Sequence, residues 1–244
     1  MTQEGQICWG TKNQDSRFDI LGGCGSHFEG SRLTSILGIS QSRPDPAVIR
    51  KAVQVLNAKG VVMYPTESSY ALGVNALDRS AVEKLFEIKG RSGDKPIPVI
   101  VPDLKTWKKY AYFNKHAEIL VRRFMPGPLT LALKKRSWVP DELNRFAIAA
   151  RIPLHPVALA LAREARYPVT STSANISGQP PAYSLKSVPR SLRSRIDLIL
   201  DAGRLKRRKH STIVDLTKRG KPLVTREGAI PTSAILRVLA QGET

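Results

Sequence analysis

Acidic residues are scarce in this chain. Asp and Glu number 20 against 39 Lys and Arg over 244 residues, a formal charge of +19. A surplus of that size points to a polyanionic partner, RNA first. Cysteine is nearly missing: Cys8 and Cys24 are the only pair, which excludes a disulfide framework. Cys24 and His27 have ligand-like spacing but lack further ligands, so no metal site is expected. No apolar run approaches the roughly 18 residues of a membrane span. The polar start with Glu4 does not read as a signal peptide, so the expectation is a cytoplasmic protein with no membrane contact. Also missing are a G-x-x-x-x-G-K-[ST] loop, a G-x-G-x-x-G after a strand and a G-x-S-x-G elbow, which excludes the usual nucleotide folds and the hydrolase elbow. None of the four histidines has a Ser or Cys partner at a telling distance, and no carboxylate pair recurs at strand ends. Covalent and acid–base catalysis by side chains are therefore poorly supported.

What is present is a set of apolar segments that end in hydroxyls or cations. Residues 1–40 have no sustained period and read as a loosely ordered extension, so the folded domain is expected over 41–244. Asp45 suits an N-cap, Pro46 the first helical position, and Ile49, Ala52, Val53 and Leu56 one helical face ended by Gly60. A short strand, Val61 to Tyr64, runs into Pro-Thr-Glu-Ser-Ser-Tyr. Ser80 with Glu83 reads as a capping box for a helix faced by Val82, Leu85 and Phe86. That helix ends in KGRSGDKP, either a solvated charge run or a loop folded around an anion, before a strand from Ile97 to Val101. Ala117, Leu120, Val121 and Phe124 mark another helix, broken by Pro126-Gly127-Pro128 before the alternating strand Leu129, Leu131, Leu133 with Thr130 on its other side.

In FAIAAR, Arg151 falls opposite the bulky side and ends a strand just before Pro153, placed as a phosphate or carboxylate clamp or as half of a structural ion pair. A helix from Pro156 to about Ala165 follows, and then VTSTSANISG, Val169 to Gly178. That stretch is a strand leaving its sheet through hydroxyls and an amide, either a Ser/Thr-rich turn or a ligand-binding strand end. Later come the basic run Arg204 to His210, the strand STIVDL headed by Ser211, and Arg226 before a Glu-Gly turn. Strands and helices interleave throughout, so the class is α/β with an open, mixed sheet. A hydroxyl-lined cationic pocket suits a reaction that needs charge neutralisation and alignment, as in attack on phosphorus.

Taken in order, YPTESSYALG, KGRSGDKP, MPGPLTLAL, ARIPLHP, TSTSANISG, HSTIVDL and TREGAI resemble the YrdC family of threonylcarbamoyl-adenylate synthases, over about Asp45 to Ile230, in its short, single-domain type. The resemblance implies a twisted sheet of the YrdC type with helices packed on it. It implies a nucleotidyltransferase joining L-threonine, bicarbonate and ATP with Mg²⁺, releasing pyrophosphate, for modification of tRNA. It further implies that Lys89, Arg91 and Arg151 are the catalytic cations. Lys89, Arg91, Arg151, Ser173, Asn175 and Arg226 are the implied ATP contacts, supported by Thr130, Ser177 and Ser211, with Thr66 and Ser171 nearer the threonine. The implied partners are tRNA or other RNA on the basic surface and proteins of the tRNA-modification pathway. Ala71 stands where the family usually has Gly, a change expected to alter one turn without touching chemistry. Two rival readings are a non-catalytic RNA-binding module of this fold and a relative that uses carbamoyl phosphate.

Overall fold

The computed structural model describes residues 34–90, 96–218 and 222–242. Arg91 and Lys95 of the basic loop, Cys8, Cys24 and His27 lie outside the described residues. The strands in chain order are β1 (Ser35–Gly38), β2 (Val62–Pro65), β3 (Tyr70–Gly73), β4 (Val99–Ile100), β5 (Leu129–Lys134), β6 (Ala147–Arg151), β7 (Val169–Thr170), β8 (Thr172–Ser173), β9 (Leu198–Asp201), β10 (Thr212–Asp215) and β11 (Leu223–Arg226). The helices are α1 (Pro46–Asn57), α2 (Arg79–Lys89), α3 (Leu104–Trp107), α4 (Lys115–Phe124), α5 (Pro156–Ala165), α6 (Arg190–Arg193) and α7 (Thr232–Gln241). Among the described residues no helix is long and apolar enough to cross a membrane.

Hydrogen bonding divides the strands into a five-stranded sheet, β1-β9-β2-β3-β8, and a six-stranded sheet, β11-β10-β5-β6-β4-β7, where the sequence suggested one. Both are mixed: β1, β9 and β2 run parallel while β3 and β8 pair antiparallel. In the larger sheet the parallel pairs β10·β5 and β4·β6 alternate with antiparallel ones. The division falls inside the continuous-looking run VTSTS. Val169 and Thr170 pair with β4, Thr172 and Ser173 pair with β3, and Ser171 between them donates its N–H to Pro98 O at 2.7 Å. Each half is two residues long, too short to leave a mark in periodicity.

The central strands of the smaller sheet are apolar on both faces, as expected where both are covered. Val62, Tyr64, Leu198 and Leu200 pack under the face of α1 (Ile49, Ala52, Val53, Leu56) and of α5 (Val157, Ala158, Leu161, Ala162). Their neighbours Met63 and Ile199 point the other way, into a second cluster with Leu85, Leu131 and Ile148. Burial of each such side chain contributes about 1.5–3 kcal/mol, so this two-sided packing sets the register of the strands whose ends carry the site.

Three local expectations are corrected. A strand, β1, stands inside the stretch read as extension and pairs with the edge of β9; its four residues are too few for the period test that defined the boundary. The cap of α2 is Asp78, whose Oδ1 accepts from Ala81 N at 3.0 Å and from Ser80 Oγ at 2.7 Å. A carboxylate beside the first turn outcompetes a hydroxyl there. Phe146, read as the first residue of the strand FAIAAR on its bulky side, precedes β6 and is 71% exposed. By contrast α1 with its Asp45 cap, and α5, stand where the pattern put them.

Candidate active site

A cavity of about 640 Å³ opens where the ends of several strands converge, and its lining includes Thr66, Thr130, Arg151, Ser171, Ser173, Ser211 and Arg226. All seven were expected in the site from the sequence. No carboxylate lines the cavity among the described residues. The wall combines both sheets: Ala71 and Ser173 are cross-strand partners in one, while Thr130 and Ile213 are partners in the other. Ala71 therefore stands in a strand that lines the cavity rather than in a turn, which corrects the expected local structure at that position.

Arg151 ends β6 and is 8% exposed. Its Nη1 donates to Glu67 Oε2 at 2.6 Å. The other oxygen of Glu67 accepts the backbone N–H groups of Leu154 and of His155, the residue that caps α5. Arg151 is thus half of a structural ion pair and also lines the cavity. Burial pushes the Glu67 carboxyl up, but Arg151 and the backbone N–H donors outweigh it and hold the carboxyl below its ordinary range. Glu67 was written in YPTESSY without a role; the signal available was a lone acid among hydroxyls at a strand end.

Also in the lining, Arg226, at the end of β11, donates from Nε and Nη2 to Ser211 O at 3.2 and 2.9 Å. Gly228 makes that approach possible, because a Cβ there would lie 2.2 Å from His210 O. Thr212 ties the same turn, accepting from Gly228 N and Ile230 N at 3.0 Å each. Thr130 and Ser211 share a hydroxyl–hydroxyl bond of 2.8 Å. Burial, and then the charge of Arg151, lower the pKa of Arg226; burial, Arg226 and Arg151 lower that of His210. Two arginines beside hydroxyls, one of them depressed by burial and by the charge of the other, form a site whose repulsion an anion relieves.

Lys89, Asn175 and Ser177 are outside the cavity lining. Lys89, at the end of α2, is 2% exposed, and its Nζ donates to Ser173 O (2.6 Å), Asn175 O (2.8 Å) and Asn175 Oδ1 (2.8 Å). Ser173 Oγ donates to the same Oδ1 at 2.6 Å, and Ser177 N to Lys89 O at 3.0 Å. The expected ATP contact is thus directed at the loop that carries Ser173: a buried ammonium needs oxygen partners, and carbonyls turning out of a sheet supply them. Thr66 likewise knots its own turn, donating to Ser69 O at 2.6 Å.

A family model named Sua5/YciO/YrdC and described as "Telomere recombination" matches residues 54–228. The threonylcarbamoyl-AMP synthase of Pyrococcus abyssi is 35% identical over 212 residues, covering 86% of this chain and 62% of that one. The structure of P. abyssi Sua5 complexed with L-threonine superposes with a TM-score of 0.79 at 36% identity, over 84% of this chain and 61% of that one. E. coli YciO superposes with a TM-score of 0.75 at 30% identity, over 83% of this chain and 100% of that one. The chain thus spans about three fifths of the P. abyssi relatives and the whole of the E. coli one.

Proposed function

The chain belongs to the Sua5/YciO/YrdC family, and from that premise we propose that it is an L-threonylcarbamoyladenylate synthase. The single observation that carries the reading is a cavity, free of carboxylates among the described residues, that gathers Arg151 and Arg226 with Thr66, Thr130, Ser171, Ser173 and Ser211. In the proposed reaction the threonine amine and bicarbonate give N-carboxy-threonine and water. A carboxylate oxygen of that adduct then attacks the α-phosphorus of ATP, and the bond from that phosphorus to the bridging oxygen breaks, so that pyrophosphate leaves with the electron pair.

Two anions must meet for that bond to form. Like charges about 4 Å apart repel by roughly 1 kcal/mol in water and by several times that in a drier pocket, so fixed cations serve the step better than a base. Arg151, held by Glu67, keeps its remaining N–H groups for the phosphates, and Arg226 joins it from the end of β11 in the same sheet. Thr130, Ser173 and Ser211 supply neutral hydrogen bonds, while Thr66 and Ser171 line the part we assign to threonine. Mg²⁺ enters as the magnesium salt of ATP, since no carboxylate lines the cavity among the described residues.

We further propose that the activity is cytoplasmic and serves tRNA, which meets the chain on the exposed basic segment from Arg204 to Lys209. The test is to incubate the protein with ATP, Mg²⁺, bicarbonate and single amino acids and measure pyrophosphate. The expected result is release that requires bicarbonate and is strongest with L-threonine. Release that requires carbamoyl phosphate instead would assign the chain to the carbamoyl-transfer relatives, and no release under either condition would leave a binding module.

A further inference from the structure

A second face of the molecule has the chemistry of a recognition surface, and the synthase reading makes no use of it. β5 presents Thr130 to the cavity at one end and Lys134 to solvent at the other, about 13 Å along the strand at roughly 3.3 Å per residue. Around Lys134 two open grooves of about 800 and 410 Å³ join through Tyr112, Lys134, Thr217 and Lys218. Backbone hydrogen bonds hold the walls together: Tyr112 N donates to Lys134 O at 2.9 Å, and Lys135 N to Phe146 O at 3.2 Å.

The grooves interleave cations with exposed rings. Phe146 is 71% and Tyr112 49% exposed, so both rings offer surface to solvent. Arg145 lies 5.5 Å from the Phe146 ring centre, and Arg136 covers one face of Tyr112 at 4.1 Å. Among the described residues Lys134, Arg145 and Lys218 make no salt bridge, while the groove's acid, Asp141, is paired with Lys135 at 2.6 Å and also feels the charge of Arg145. Cations alone fit any polyanion; rings open to solvent between them select one whose flat groups are unstacked.

We propose that this groove binds single-stranded nucleic acid, with bases stacked on Phe146 and on the open face of Tyr112 and phosphates on Lys134, Arg145 and Lys218. The site is separate from the reaction cavity and from the Arg204–Lys209 segment. It requires no substrate chemistry, so it stands or falls independently of the synthase reading.

The test uses the full chain and a labelled oligouridylate of about 12 nucleotides, followed by fluorescence anisotropy. Phe146→Ala is expected to weaken binding by about fivefold or more, as loss of a stacked base does. Lys134→Ala with Lys218→Ala is expected to flatten the slope of log K against log salt by about 1.4, at about 0.7 per phosphate contact. Both variants are expected to retain the parental rate of pyrophosphate release. Parental affinity and slope in both, or equal competition by a duplex of the same length, would overturn the proposal. So would an acidic peptide whose binding, unlike that of the oligouridylate, depends on Phe146, since it would assign the groove to a protein partner.

Discussion

Glu67 and Arg151 form the pair on which the cavity's electrostatics rest, with side chains 12% and 9% exposed. Removing one member of such a pair leaves a buried charge uncompensated, at about 3–5 kcal/mol. Arg151→Ala therefore mixes stability with chemistry, and Arg151→Lys is the cleaner probe. It keeps the charge and loses the two-pronged donor, so kcat/KM is expected to fall by about 10- to 100-fold with little change in melting temperature. Parental kinetics would remove Arg151 from the chemistry. The acid side of the stability curve tests the same pair. The folded-state pKa of Glu67 lies below its ordinary 4.5. Its contribution is therefore complete above that value and is lost as pH falls through the lowered one. Urea unfolding between about pH 3 and 7 is expected to show this acid loss in the parent and a smaller one in Glu67→Gln.

At the scale of elements, α2 is tied to the site at its far end by Lys89 and anchored at its start by Asp78. Lys89→Met keeps the length of the side chain and leaves the Ser173 and Asn175 carbonyls without that donor, at about 1–3 kcal/mol for each unmet group. The expected outcome is a lowered melting temperature together with a raised KM for ATP, because the loop that presents Ser173 loosens. A variant with lowered stability and an unchanged KM would confine Lys89 to the fold. Asp78→Ala is expected to cost about 1 kcal/mol and Ser80→Ala far less in chemical denaturation, since the structure gives the cap to the aspartate.

For the molecule as a whole, the boundary of the folded unit and the surplus charge are the measurable properties. Deleting residues 1–33 is expected to leave pyrophosphate release nearly unchanged. Deleting 1–40 strips β1 and buried Ile39 from beside β9 and is expected to cost about 2 kcal/mol or more in urea unfolding. Equal stability of the two truncations would make β1 an ornament of the sheet edge. In the basic segment buried Leu205 anchors the chain while Arg204, Lys206 and Arg208 stand in one groove and Arg207 stacks on Tyr183 at 5.1 Å. Arg207→Ala with Arg208→Ala is expected to flatten the salt slope of tRNA binding by about one to two units. An unchanged slope would give those residues a structural role.

The α/β class, the helix faces of α1 and α5 and seven of the sixteen residues that line the cavity were legible in order along the chain. Amphipathic periods, caps and strand-terminal hydroxyls are local signals, carried by residues a few positions apart. So was the surplus of positive charge, which composition alone determines. What required the tertiary structure depends on residues far apart in sequence. The crossing between sheets at Ser171 depends on whether Pro98 or a neighbouring strand takes its backbone. The bond from Glu67 to Arg151 spans 84 positions, as does that from Lys89 to Ser173, and nothing local to a lysine tells whether it will face an ATP phosphate or a loop's own carbonyls. Period and composition constrain which side of an element is buried; the partner waiting there is chosen only when the chain closes.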